Sequence, residues 1–562
     1  MYQLGGYVED QWHARKNLTL NAGIRIERNS NPACNANCNS HFSGNFFDVQ
    51  QTASTPYNSV IDSHQRETFA KYQPFVIEPR ASFAWQPRGS SSKMVVRGGF
   101  GFFADPIEAN FTNTLLYNVP NKNELTASSG SLTASNSQQY LLDPALPGSG
   151  YAALQASNAA LVNGFDNGGT YATISSAVAA AGSHFALPSF ASARQHMYYP
   201  TYEEWNLQIQ QQVGNNTTIT YGYNGNHGYH EPVSNNSVDA WWNPNLLPVP
   251  GQITNSLTGN VFNFSPQGIP TSAHNQQFSS FSELFNGGNS NYNGLTVDVT
   301  HRVSYLTLDA NYSWGHALDE ISNEGIFTFS STGTTSPQSP YNLRYNYGNA
   351  DYDIRKNFKL SYVLDIPQFH GYKRLIGGWK VSQALFWHSG FPFTITDSFA
   401  NQGFYTMASS NTPYPYDAYN GGIPAVPVNR GMNRHCGTEG VFNYETQTGG
   451  NCFGGIQAFT DPSGLGAEDR NQFTGPGYFN TDMGVLKTIA VPHMAGAKFQ
   501  FGVQMFNALN HPNFVPPASD IAGGSSFGQI YSTASPANTI YGAYLGGDGS
   551  PRQIQLKGAF VF

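Results

Sequence analysis

The sequence predicts an all-β fold, an antiparallel up-and-down sheet that crosses a membrane as the wall of a barrel. Three observations predict it. Apolar and polar residues alternate over segments of about ten residues, which places each kind on its own face of a strand. Connections between these segments are short and long in strict turn along the chain. The composition joins 11% charged residues to 14% aromatic residues and 58 glycines.

That composition excludes several classes. A chain of 562 residues could hold several ordinary domains or one very large barrel. Its charged fraction lies far below the ~25% that solvates a typical soluble domain, whereas disordered chains are poor in aromatics. A net charge of −8 argues against nucleic acid, which requires clustered Lys and Arg. The longest small-apolar stretch, Ala177 to Gly182, is far shorter than the ~20 residues of a spanning helix. Any crossing is therefore made by strands.

The strands follow in order. Tyr2 to Asp10 is strand-like directly after Met1, with no basic region and no apolar h-region, so no signal peptide is visible. Leu18, Leu20, Ala22, Ile24 and Ile26 then alternate with Thr19, Asn21, Gly23, Arg25 and Glu27. Trp205, Leu207 and Ile209 alternate with amides, Leu306 to Trp314 alternate with Thr307, Asp309, Asn311 and Ser313, and Phe358 to Ile366 is a further run. Arg25, Glu27, Asp298 and Asp309 would be intolerable in a dry core without partners. With Arg97 they read as lumen-facing, either a charge ladder that holds the inner wall or a pore lining. Leu18, Leu306, Phe358 and Phe560 read as outward-facing. Ten residues at ~3.3 Å, tilted by ~45°, rise about 23 Å, close to the ~25 Å apolar band of an outer-membrane barrel.

Short connections fall near 13–17, 88–91, 214–216, 303–304, 368–377 and 491–497, and long ones near 29–74, 105–200, 228–290, 316–354, 397–477 and 508–552. Short periplasmic turns and long external loops give this pattern. The count is roughly thirteen strands, an odd number whose first and last members run the same way. Direct closure would force a parallel pair, so an odd number of further strands is expected upstream of Met1. A weakly helical stretch is expected near Ile174–Ala181 within the second long loop.

Cys34 with Cys38 and Cys436 with Cys452 lie in turn-rich polar segments. Local disulfides in an oxidising compartment are the preferred reading; a zinc site and unpaired thiols are the alternatives. Tyr414, Tyr416 and Tyr419 could stack a sugar or another flat ligand, or simply pack in a surface loop. Asp351 and Asp353 read as a strand-entry turn beside Arg355 and Lys356 rather than a calcium site. His227 and His230 beside Glu231 read as solvated loop histidines, with a metal pair as the alternative. No Gly-x-Ser-x-Gly elbow, His-Glu-x-x-His motif or phosphate loop is present, so no catalytic, cofactor-binding or metal-ligating residue is named and no enzyme is expected.

The last ten residues alternate to the end and place Ile554, Leu556, Phe560 and Phe562 on one face. Phe560 and Phe562 thereby resemble the terminal signal read by the outer-membrane barrel-assembly machinery. Glu78 to Trp85 and Val95 to Phe103 look like a strand pair of TonB-dependent-receptor-like outer-membrane proteins, in the large branch with an N-terminal carboxypeptidase-regulatory-like domain. Glu204–Leu207, Tyr312–Trp314, Ser389–Phe393 and Phe506–Phe514 continue the resemblance in order over nearly the whole chain. It implies a barrel of about 22 strands filled by a plug. Residues 1–562 would then be the C-terminal part of that barrel, without the signal peptide, the plug, the remaining strands and the segment that engages a TonB-type energy-coupling protein. The implied function is import of a scarce solute (glycan, siderophore or peptide) through the outer membrane of a Gram-negative-type bacterium. A passive porin or a surface-binding, adhesin-like barrel is the alternative.

Overall fold

The computed structural model describes residues 2–45, 48–49, 51–89, 93–107, 112–113, 115–123, 125–127, 150–235, 251–254, 261–264, 277–278, 280–322, 343–366, 377–397, 423–460, 468–491, 494, 496–534 and 551–562. Thirteen strands run in chain order through one sheet. They are β1 (Gln3–Arg15), β2 (Leu18–Asn29), β3 (Val76–Trp85), β4 (Met94–Ala104), β5 (Thr201–Val213), β6 (Thr217–Asn235) and β7 (Ser280–Val303). They continue as β8 (Leu306–Asp319), β9 (Lys356–Asp365), β10 (Trp379–His388), β11 (Tyr478–Ala490), β12 (Lys498–Phe506) and β13 (Gln553–Val561). Each pairs antiparallel with the next. The expected up-and-down sheet is present. Among the described residues β1 and β13 are its two open edges.

One register row measures the tilt of the sheet. It links Leu18, Trp85, Val96, Ile209, Tyr221, Val297, Tyr312, Phe358, Trp387 and Phe479 across ten strands. Every member is apolar or aromatic, so the row crosses one face of the wall without a polar residue; Asp10, Gln383, Thr481 and Lys487 are polar exceptions elsewhere on that face. Leu18 is the first residue of β2, at its turn end. Tyr312 lies six residues above the turn end of β8, Phe358 seven above Asp365, and Trp387 eight above Trp379. The row climbs by one residue per strand. At ~3.3 Å per residue and ~4.8 Å between strands, that stagger corresponds to a tilt of about 35°, within the range of closed membrane barrels.

Tryptophan marks the height of the apolar face. Trp85 and Trp379 stand at the turn ends of β3 and β10. Trp205, Trp314 and Trp387 each lie eight residues farther up their strands. By register all five share the face of Leu18. Eight residues at this tilt rise about 22 Å, so the two levels match the aromatic girdles that flank a ~25 Å apolar band. Leu306 and Phe560 fall on the same face, through Leu306–Leu364–Val381–Val485–Val503–Leu556 and the two-residue period of β13.

Several expected boundaries move. β6 runs on to Asn235 and β7 begins at Ser280, so both ends of the loop expected over 228–290 are paired. Above the upper Trp level water reaches both faces, and alternation no longer marks a strand. The connection near 368–377 lies almost wholly outside the described residues. Among the described residues, the second long connection includes the helices α1 (Gly150–Asp166) and α2 (Tyr171–Ala180), of which α2 is expected from the sequence. Thr170 caps α2 in a reciprocal capping box with Thr173.

The packed core lies in the long connections rather than in the wall. Phe69, Ile107, Leu115, Met197 and Leu284 form one cluster, drawn from the first two long connections and the start of β7. Phe393, Ile395, Cys436, Phe453, Phe459, Phe473, Ile521, Phe527 and Ile530 belong to a second, drawn from the connections after β10 and β12. Both sit at the end of the sheet remote from the short turns.

Candidate functional site

The face opposite the apolar row carries most of the charges of the strands. On β2 and β3, Arg25 Nε meets Glu27 Oε2 at 2.9 Å and Glu78 Oε2 at 3.4 Å, and Arg80 Nη2 meets Glu78 Oε2 at 3.3 Å. The Ala104 N–H donates to Glu78 Oε1 at 2.7 Å, and the Gln3 amide donates to Glu27. Two cations and two anions thus neutralise one another above a groove of ≈ 600 Å³ between β1 and β5. Arg97 donates from Nη1 to the side-chain carbonyls of Gln208 and Gln210, at 3.3 and 3.1 Å. This part of the wall is a ladder of paired groups.

The other part is less neutral. Asp298, Asp309, Lys359, Asn480 and Asp482 line a second groove of ≈ 490 Å³ between β7 and β11. Asp298 accepts from the Asn311 amide, and Asp482 Oδ1 accepts from the Asn507 N–H at 2.9 Å. Asp309 makes no ion pair among the described residues. Arg25, Glu27, Arg97, Asp298 and Asp309 therefore all share the polar face; the first three are held in pairs, while Asp298 and Asp309 border open space.

Above the wall the connections are locked by polar side chains. Arg470 is 2% exposed. Its Nε donates to Asn346 O, its Nη1 to Asp351 Oδ1 and Ser322 Oγ, and its Nη2 to Asp319 O and Oδ1. All five guanidinium protons are thereby accepted. Burial pushes the Asp351 carboxyl up, and Arg470 opposes that shift. Asp353 turns instead to Arg355, and its Oδ1 accepts the Ala317 N–H at 2.8 Å. Asp351 and Asp353 thus form a strand-entry turn, as expected. The missing part of the expectation was Arg470, 119 residues from Asp351, for which no local signal exists.

Asparagine clamps the connection after β12. Asn507 exchanges hydrogen bonds with the backbone of His511, and Asn513 does the same with the backbone of Phe479 on β11. Asn507 and Asn510 have φ of 45° and 52°, a region that asparagine tolerates better than most residues. The segment Phe506–Phe514 is accordingly a fastening between a loop and the wall.

The remaining candidates are placed as follows. The structure joins Cys34 to Cys38 and Cys436 to Cys452 as disulfides, with Cα separations of 5.7 and 5.2 Å. Cys436 belongs to the second loop core. His227 Nδ1 contacts Ser290 O at 3.0 Å, His230 stacks on Tyr198 with ring centres 4.9 Å apart, and Glu231 accepts from Ser290 Oγ at 2.6 Å. His227 and His230 are thus residues of strand β6 rather than of a loop, packed against β7 and against Tyr198 of the connection before β5. Among the described residues no three His, Cys, Asp or Glu side chains gather as metal ligands would. Phe560 lies near the end of β13 and Phe562 directly follows it, 96% exposed. Tyr414, Tyr416 and Tyr419 lie outside the described residues.

Residues 1–555 match the family described as outer membrane beta barrel domain. No curated protein matches the chain. Among solved structures, the chain is similar to the outer membrane transporter YddB from Escherichia coli (TM-score 0.38, 9% identity), covering 99% of this chain and 44% of that one. It is similar to the FrpB iron transporter from Neisseria meningitidis (TM-score 0.37, 8% identity), covering 99% and 45% respectively. It is similar also to the siderophore receptor PirA from Acinetobacter baumannii (TM-score 0.38, 9% identity), covering 94% and 44%. The chain spans less than half the length of each of these structures.

Proposed function

The chain belongs to the outer membrane β-barrel domain family, and from that premise we propose that it is part of the wall of a TonB-dependent-type receptor that imports a scarce solute. The solute, a glycan, a siderophore or a peptide, binds at the external loops and passes through a lumen occupied by a plug. The observation that carries this reading is the loop architecture. A passive pore needs an open mouth, whereas here the long connections build two apolar cores and the buried Arg470 junction. Such a superstructure suits capture of a specific ligand from outside.

The reading extends to the rest of the assembly. β1 and β13 run in the same direction, so antiparallel closure requires further strands between them. The apolar face sits in lipid, the β13 end with Phe560 and Phe562 addresses the barrel-assembly machinery, and the energy-coupling protein engages an N-terminal segment of the receptor. A carboxypeptidase-regulatory-like domain at the N-terminus belongs to the same proposal. The reading requires no catalytic role.

The test is electrical. Protein extracted intact from native outer membranes is inserted into planar bilayers. A plugged receptor gives no steady conductance until urea displaces the plug, and then large steps appear. Stepwise conductance without denaturant would make the protein a passive porin.

A further inference from the structure

We propose that Tyr444 and Tyr531 form a binding platform for the ring of a neutral saccharide on the external loops. Phe442–Asn443 pairs with Thr448–Gly449 in a small hairpin, whose tip is residues 444–447. Asn443 Oδ1 accepts the N–H groups of Glu445 and Thr446 at 2.9 and 3.2 Å, and Gln447 Nε2 donates to Tyr444 O at 2.7 Å. The tip is therefore fixed by its own side chains. Its base is fixed as well. The Cys436–Cys452 disulfide brackets it, and Phe442 N and Gly440 O both bond the backbone of Ile530 in the second loop core.

The aromatic rings on this base are anchored yet open. Tyr444 is 61% exposed although its hydroxyl donates to Tyr531 O at 2.8 Å. Tyr531 is 39% exposed although its hydroxyl donates to Gln529 Oε1 at 2.5 Å. Phe442 stands between them, with ring centres 5.0 Å from Tyr444 and 5.1 Å from Tyr531. An exposed tyrosine ordinarily swings freely, and ordering it on binding costs rotamer entropy. Here that ordering is already complete, so the surface is preorganised for contact.

The chemistry of the rim selects the ligand. Across residues 441–449 and 527–534 the only ionisable acid or base besides tyrosine is Glu445. These two segments hold no Lys, Arg or His to attract a phosphate or a catecholate. Asn443, Gln529 and Thr448 offer neutral donors and acceptors around the rings. A pyranose matches this arrangement: its C–H face stacks on an aromatic ring, and its equatorial hydroxyls reach the amides. The inference stands apart from import, because capture at this hairpin needs neither plug nor energy coupling.

The experiment uses the full chain in a micelle of lauryldimethylamine oxide, a detergent without a sugar headgroup. Cellohexaose, xylohexaose and mannohexaose are the probes, read by saturation-transfer NMR and titration. At least one hexaose binds with Kd in the micromolar to low millimolar range. Y444A and Y531A each weaken binding at least tenfold, whereas Y444F, which keeps the ring, retains it within threefold. Cysteine oxidation and strand circular dichroism verify that the variants are folded. Absence of binding for all three probes overturns the proposal, and so does binding unchanged in folded Y444A.

Discussion

Arg470 and Asp351 meet at 2.9 Å inside the loop layer, 119 residues apart in sequence and both almost completely buried. The same guanidinium also holds Asp319 at the end of β8. The end of β8, the Gly348–Asp351 segment paired with it, and the distant Arg470 segment are thus fastened at one side chain.

Replacing Arg470 by Met leaves the carboxylates of Asp319 and Asp351 buried without their cation. The expected cost is about 3–5 kcal/mol, confined to the loops. Hydrogen exchange is the measurement: amides of residues 346–353 and 470–474 lose protection, while those of β9 and β10 keep theirs. Arg470→Lys also loosens the junction, because one ammonium cannot supply five donors. Unchanged protection in Arg470→Met would show that the loop cores alone suffice.

Leu360 and Ser361 are neighbours on β9 that face opposite ways, Leu360 in the apolar layer and Ser361 beside the acidic groove. Leu360 lies five residues above the turn end of its strand, near the middle of the apolar band. Leu360→Arg should destabilise the protein in phospholipid vesicles by about 2–4 kcal/mol. Ser361→Arg, facing water, should cost under about 0.5 kcal/mol. Urea unfolding followed by tryptophan fluorescence compares them, and equal costs would contradict the assignment of faces.

Tyr57 is fully buried in the first long connection and donates its hydroxyl to Gln277 O at 2.7 Å. Burial, aided by Tyr171, pushes its phenol far above the ordinary tyrosine range. The folded pKa is raised above the unfolded one. The stability from this group is therefore fully present below pH ~10 and is lost as pH rises toward the folded value. In alkali the loop layer should open cooperatively, with a late tyrosinate absorbance change that Tyr57→Phe reduces by one phenol. A Tyr57→Phe curve superimposable on the wild-type curve would count against the burial.

The strands were legible because a membrane wall enforces a period of two over a fixed height. Leu18 to Ile26 and Leu306 to Trp314 show it directly, and the short turns follow from it. The loop layer was not legible, because its contacts have no period. Phe69, Ile107 and Leu284 join one core from three distant segments. Helix α1 was missed because its buried positions, Ser157, Leu161 and Phe165, sit among Ala, Asn and Gly that read as loop. Their spacing of four was the available signal. The paired upper parts of β6 and β7 were missed for a related reason. Asn286, Gly287 and Gly288 look like a turn, yet Asn286 and Gly288 are paired with β6 on either side of a bulge at Gly287, above the upper tryptophan level.

The central claim is that one continuous face of this sheet meets lipid and the other meets water. Spin labels placed singly at residues 358 to 364 of β9 in lipid vesicles test it most directly. The account predicts strict alternation. Labels at 358, 360, 362 and 364 should be relaxed by lipid-soluble oxygen, and those at 359, 361 and 363 by a water-soluble nickel complex. Oxygen and nickel accessibilities that vary together along β9, with no period of two, would contradict it.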